Sequence, residues 1–190
     1  PTLLDHRIGM AAIILGLYSS NISEFDDAEG YLFGGDATNV DCTFDITKSL
    51  RKRLDELRTE AEVSVREGGK YLILSDKEIN ANKAPIPMAL AIGAVNSRLT
   101  ELGIRGFASI NVQTGEVLDT HSFAVLLGVG ATTINPYVAF DSIYQRYEKG
   151  LFGKLNFEEC IRRYVKSVDN GLLKIMSKMG ISVLSAYRGG

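Results

Sequence analysis

From Thr47 onward the chain alternates between stretches whose apolar residues recur at helical spacing and short apolar runs bounded by polar residues or glycine. This alternation restricts the fold more than any bulk property does. Leu50, Leu54, Leu57, Ala61 and Val65 define a first helix over residues 47–67, with Thr47 or Ser49 placed to cap its first turn and Gly68-Gly69 to end it. Residues 70–76 follow as a short apolar run closed by polar residues, the pattern of a strand buried on both faces. Pro85 and Pro87 open a second helix, with Leu90, Ala91, Val95, Leu99 and Leu102 as its apolar stripe and Gly103 as its stop. The unit then repeats as a strand over 106–112, a short helix over 122–127, a strand over 131–134 and a helix over 138–149. Asn156, with Glu159 after it, marks a helix start; that helix runs to about residue 167, a further one reaches 179, and residues 181–184 form a last strand candidate.

Strands alternating with helices pair in parallel through right-handed crossovers, and strands covered by helices are expected to lack polar alternation. The predicted fold class is therefore α/β, a parallel sheet flanked by helices. The visible strands leave two architectures open, a partial (β/α) barrel-like arrangement and an open three-layer α-β-α sheet. In both, ligands gather beyond the carboxyl ends of strands. Here those ends are Ser75-Asp76-Lys77, Gln113-Thr114-Gly115-Glu116, Asn135-Pro136 and Ser185-Ala186-Tyr187-Arg188.

Ahead of this region, residues 19–40 are acidic and lack a steady period, which predicts loop or linker. The apolar run 8–18 is about half of the ~20 residues a bilayer crossing needs, so it reads as a buried helix. A chain of 190 residues suits one globular domain with a sizeable core. A net charge of −2 argues against a nucleic-acid partner, which would call for a basic excess. No membrane partner is expected either. The two cysteines, Cys42 and Cys160, supply neither a zinc quartet nor a disulfide framework and point to a reducing compartment.

The residues offer few catalytic constellations. His6 and His121 stand in no metal-ligand spacing, so no metal site is predicted. Cys42 and Cys160 read as packing residues, and His121 as a helix-start residue. Gly128-Val129-Gly130 follows a helix and precedes a strand, the reverse of a phosphate cradle, so it reads as a helix stop. Ser75 and Asp76, with Asn135 at a neighbouring strand end, are the candidates for a strand-end pocket, against the plainer role of Asp76 as a turn organiser. Lys174 and Lys178 project from one helix face, and with Arg188 beyond the last strand candidate they could line an anion site.

Several strings taken together carry a family resemblance. Ile73-Leu74-Ser75-Asp76, Ala84-Pro85-Ile86-Pro87, Ala91-Ile92-Gly93-Ala94-Val95, Ser122-Phe123-Ala124-Val125-Leu126-Leu127-Gly128, Ile134-Asn135-Pro136-Tyr137 and the run from Gly171-Leu172-Leu173-Lys174 to Met179-Gly180-Ile181-Ser182 resemble, in order and spacing, the large subunit of glutamate synthase. The resemblance begins at Val40-Asp41-Cys42-Thr43-Phe44-Asp45. It implies the later part of that enzyme's central domain over 40–180 and the start of the FMN-binding domain over 181–190, with residues 1–39 an unmatched acidic segment. The family makes glutamate from glutamine and 2-oxoglutarate with FMN, an iron–sulfur cluster and an external electron donor. Its central domain joins the amidotransferase and FMN-binding domains and is regarded as related to the flavin barrel, which favours the partial barrel-like architecture.

The resemblance thus implies a connector that is not catalytic when isolated. It implies no cofactor within this segment, neighbouring amidotransferase and FMN-binding domains as partners, and a small dicarboxylate nearby. Lys174, Lys178 and Arg188 would then lie beside the synthase site. The setting would be cytoplasmic, or plastid in a photosynthetic eukaryote. Where the family tends to carry histidines, this chain has Asn96-Ser97-Arg98 and His121-Ser122, which marks a divergent member. The alternative from the residues alone is a stand-alone α/β module that binds a small anion.

Overall fold

A computed structural model describes residues 37–190. The expected buried helix over 8–18 lies outside the described residues. The first described strand, β1 (Ala37–Asp41), is followed by β2 (Thr43–Asp45), helix α1 (Leu50–Arg66), β3 (Tyr71–Ser75), β4 (Lys83–Pro85) and α2 (Met88–Glu101). A 3-10 turn (Arg105–Phe107) leads into β5 (Ser109–Gln113), α3 (Thr120–Val129), β6 (Thr133–Asn135), α4 (Tyr137–Glu148), α5 (Phe157–Lys178) and the short α6 (Leu184–Tyr187).

Strands β1, β3, β5 and β6 form one parallel sheet in chain order, with Leu72 opposite Thr38 and Ile110, and Val112 opposite Ile134. With right-handed crossovers, a sheet laid down in one direction receives all its crossover helices on one face. The helices pack accordingly, α1 against α2 and α2 against α3. Val40, Leu72, Leu74, Ile110, Val112 and Ile134 meet Leu57, Ala61, Ile92, Val95, Leu99, Phe123 and Leu127 in the core. No closed barrel is present among the described residues. Strand order resembles one flank of a barrel; the open edges do not.

The second face of the sheet departs from expectation, because beside the buried Ile73 it is largely polar. Ser75, Asn111, Gln113, Thr133 and Asn135 alternate with the core residues. Their side chains bond laterally: Ser75 Oγ donates to Gln113 Oε1 at 2.7 Å, and Thr133 Oγ1 to Asn111 Oδ1 at 2.7 Å. Asn111 and Gln113 are buried.

Other boundaries also move. Residues 37–40, read as linker, form most of β1, which lies on β3 as the edge strand among the described residues. Pro85 does not open α2; it ends β4, paired antiparallel with β2. Residues 105–107 are a 3-10 turn and not strand, so β5 starts at Ser109. Leu90, assigned to the apolar stripe of α2, is exposed on its far side.

The two helices expected between 156 and 179 are a single helix of 22 residues. Gly171 sits inside it, and a Cβ there would lie 2.5 Å from Thr120 Cγ2 on α3, so the close helix contact requires glycine. Residues 181–184 do not form a strand; the chain turns at Gly180 and enters α6. Ser49 stands at the N-cap of α1, but its side chain makes no cap hydrogen bond; the caps and stops of two other helices hold. Asn156 Oδ1 accepts from Glu159 N–H at 2.8 Å, and Gly130 ends α3 with φ +129°.

Candidate functional site at the strand carboxyl ends

Register places Ser75, Gln113 and Asn135 in one row at the carboxyl edge of the sheet. The ladder continues one residue further, with Asp76 N–H donating to the Gln113 carbonyl and Thr114 N–H to the Asn135 carbonyl. Asp76 therefore arrives between β3 and β5 with its side chain 1% exposed. Its carboxylate accepts from Thr114 Oγ1 at 2.6 Å, from Gly115 N–H at 3.1 Å and from the Tyr137 hydroxyl at 2.9 Å. These partners are far away in sequence, so Asp76 is not the local turn organiser that the sequence suggested. It joins the loops that follow three strands.

The surroundings complete a compact polar knot. Burial, and then the bond to the Asp76 carboxylate, push the Tyr137 phenol well above its ordinary pKa, so it stays a donor at neutral pH. Lys77 Nζ lies 5.8 Å from the centre of the Tyr137 ring. Glu116 Oε2 accepts from Met88 N–H at 2.9 Å, closing the amino end of α2. Asp119 caps α3 by accepting from Ser122 N–H. Asn135 Oδ1 is buried and has no hydrogen-bond partner among the described residues.

Gly115 stands where a Cβ would lie 2.9 Å from Val138 Cγ2 and 3.1 Å from the Tyr137 oxygen. Two grooves, of about 1110 and 480 Å³, run along β1 and α1 and beside the antiparallel β2–β4 pair, and neither is lined by Asp76.

The cations proposed from the sequence lie elsewhere. Lys174 and Lys178 are exposed on α5, beyond the point where Gly171 passes the start of α3. Arg188 is half-buried where the tail meets the far end of α3, with Gly189 N–H bonded to the Gly128 carbonyl. The structure thus brings Ser75, Asp76 and Asn135 together and leaves Lys174, Lys178 and Arg188 away from them. Thr114, Gly115 and Tyr137 were not singled out as partners of Asp76, although each stands just past a strand end. Tyr137 was visible only as the last letter of the Ile134–Tyr137 string.

The cysteines are packing residues. Cys42 is fully buried, and burial, with a smaller contribution from the Asp41 charge, raises its thiol pKa to about 12. Cys160 is buried on α5. Among the described residues no three His, Cys, Asp or Glu side chains are grouped to hold a metal ion, and no helix is long and apolar enough to cross a membrane.

The family model for the glutamate synthase central domain matches residues 19–190. The large chain of the NADPH glutamate synthase of Azospirillum brasilense is 47% identical over 171 residues, covering 88% of this chain and 11% of that protein. The corresponding chain of Bacillus subtilis (strain 168) is 41% identical over 143 residues, 75% of this chain and 9% of that one. The chloroplastic ferredoxin-dependent glutamate synthase of Spinacia oleracea is 40% identical over 161 residues, 77% of this chain and 10% of that one. The chain therefore spans about a tenth of the length of these relatives.

Proposed function

The chain belongs to the glutamate synthase central-domain family, and from that premise we propose that it serves as the connector between an amidotransferase domain and a flavin-binding domain in an enzyme that forms glutamate from glutamine and 2-oxoglutarate. The observation that carries this reading is the Asp76 knot. At the strand carboxyl ends, where an α/β fold usually exposes its reactive groups, the carboxylate is spent on Thr114, Gly115 and Tyr137. Such an arrangement holds three loops in fixed relation and commits the Asp76 carboxylate to structural donors.

The cofactors of the whole enzyme do not fit these residues. An iron–sulfur cluster is held by several thiolates, whereas the sequence has two cysteines, both buried and on different elements. A flavin phosphate wants a strand, a glycine turn and an open helix amino end. Gly115 has the right place in that order, but its N–H is taken by Asp76, and Glu116 and Asp119 add negative charge around it. Flavin, cluster and dicarboxylate chemistry accordingly belong to neighbouring domains, in the cytoplasm or, in photosynthetic eukaryotes, the plastid.

The test is to incubate the purified 190-residue chain with glutamine, 2-oxoglutarate and a reduced nicotinamide, and separately to follow FMN fluorescence. The expected result is no glutamate and no saturable quenching of the isoalloxazine. Glutamate formed by the chain alone, or saturable quenching, would overturn the connector reading.

A further inference from the structure

At the end of the sheet opposite Asp76, two arginines from distant parts of the chain meet. Arg105 lies on the 3-10 turn before β5. Its Nε donates to Asn96 Oδ1 at 2.7 Å, Nη1 to the Ala108 carbonyl at 2.6 Å and Nη2 to the Gly130 carbonyl at 2.9 Å. All three acceptors are uncharged. The tail reaches the same corner two residues away on α3: Gly189 N–H donates to the Gly128 carbonyl at 2.9 Å, and Tyr187 Cε1 would be 3.7 Å from a Cβ on Gly128.

Arg188 lies between those two tail contacts. Its Nε is buried and has no partner among the described residues. Burial lowers the proton affinity of Arg105, and the charge of Arg188 lowers it further, as expected of neighbouring cations. No carboxylate among the described residues is bonded to either guanidinium.

Two half-buried positive charges side by side cost free energy unless an anion is shared between them. We infer that Arg105 and Arg188 together bind an oxyanion of carboxylate or phosphate type, with Arg188 as the principal donor and Arg105 as the fixed neighbouring charge. A guanidinium fork suits this chemistry, because it presents parallel N–H groups to the oxygens of a planar or tetrahedral anion. Arg105 is immobilised by its neutral acceptors, so the site is half preorganised before the anion arrives. The exposed lysines of α5 take no part.

The test follows the Arg Nε–Hε resonances of the 190-residue chain. Inorganic phosphate and acetate are titrated separately, with sodium chloride at matched ionic strength as control. A saturable displacement of the Arg188 signal, accompanied by Arg105, is expected. Apparent affinity should fall about tenfold, the equivalent of one charge-assisted bond, in Arg188→Gln. Arg188→Lys keeps the charge without the fork and should also bind more weakly, which preserves the test if the glutamine variant misfolds.

The double variant Lys174→Gln with Lys178→Gln should bind as the parent does. A response to phosphate alone identifies a free phosphate-type ligand. An equal response to acetate identifies a carboxylate, such as an Asp or Glu of a neighbouring domain. The inference is overturned if chloride reproduces the displacement, if neither anion saturates it, or if the double variant at Lys174 and Lys178 abolishes it.

Discussion

The Tyr137 hydroxyl donates to Asp76 Oδ1 at 2.9 Å, tying the first turn of α4 to the end of β3, two strands away across β5. Asp76 Oδ1 also lies 3.2 Å from Gly115 N, while Oδ2 accepts from Thr114 Oγ1. Donors thus face both oxygens. Asp76→Ala should cost about 3 kcal/mol of stability by leaving buried donors unpaired. Asp76→Asn should not fully restore the parent, since either orientation of the amide brings its NH2 against the Gly115 N–H and obliges a hydroxyl to turn and accept. Tyr137→Phe should cost about 1 kcal/mol. Urea unfolding of the three variants measures this, and parent-like stability in Asp76→Asn would contradict the geometry.

The contact of α5 with α3 depends on the missing side chain of Gly171, where a Cβ would lie 2.5 Å from Thr120 Cγ2 and 2.6 Å from its Oγ1. Gly171→Ala should therefore destabilise by about 1–3 kcal/mol, despite alanine's better helix propensity. Combining it with Thr120→Gly should recover part of that loss, and a double-mutant cycle measures the coupling.

The Cys42 thiol gives the protein an alkaline limit. Its folded pKa, about 12, is above the ordinary thiol value of about 8.5. A raised folded pKa contributes stability that is complete below the unfolded value and lost as pH rises toward the folded one. Unfolding free energy should therefore decline from about pH 8.5 upward, and less steeply in Cys42→Ala. Tyr164, whose phenol burial raises to about 12, adds a similar decline starting near pH 10. Thermal unfolding of parent and variant between pH 7 and pH 11 checks this, and identical slopes would refute it.

Asn156 holds the start of the 22-residue α5 by accepting from Glu159 N–H. Asn156→Ala should cost about 1 kcal/mol. Backbone exchange should quicken at Glu159 and its neighbours in the first turn and leave the segment beside Thr120 unchanged.

Much of this fold could be read from the residues because each unit carries its own punctuation. The apolar spacing of Leu57, Ala61 and Val65, the stop at Gly130 and the cap at Asn156 are decided within a few residues. What escaped was decided by distant partners. Strand β1 gains its place by lying on β3, and a glycine inside α5 signals a close neighbour that only tertiary structure reveals. The polar face of β5 was hidden by its apolar residues, since Asn111 and Gln113 are satisfied by side-chain and carbonyl groups of adjacent strands. At the site, Asp76 was legible as a strand-end acid, but its partners come from two later loops, and sequence distance conceals such triads. The cations were grouped by helix spacing and an expected strand; with no strand there, Arg188 instead lies near Arg105 at the end of α3.

Because the four parallel strands follow one another in chain order, every new strand joins the side where the last one finished. A sheet wound from the middle outward would have to be rethreaded to gain a neighbour at its centre. Among the described residues, this one can be lengthened at the flank of β1 or of β6 while every existing hydrogen bond stays in place, like a staircase that accepts another step at top or bottom.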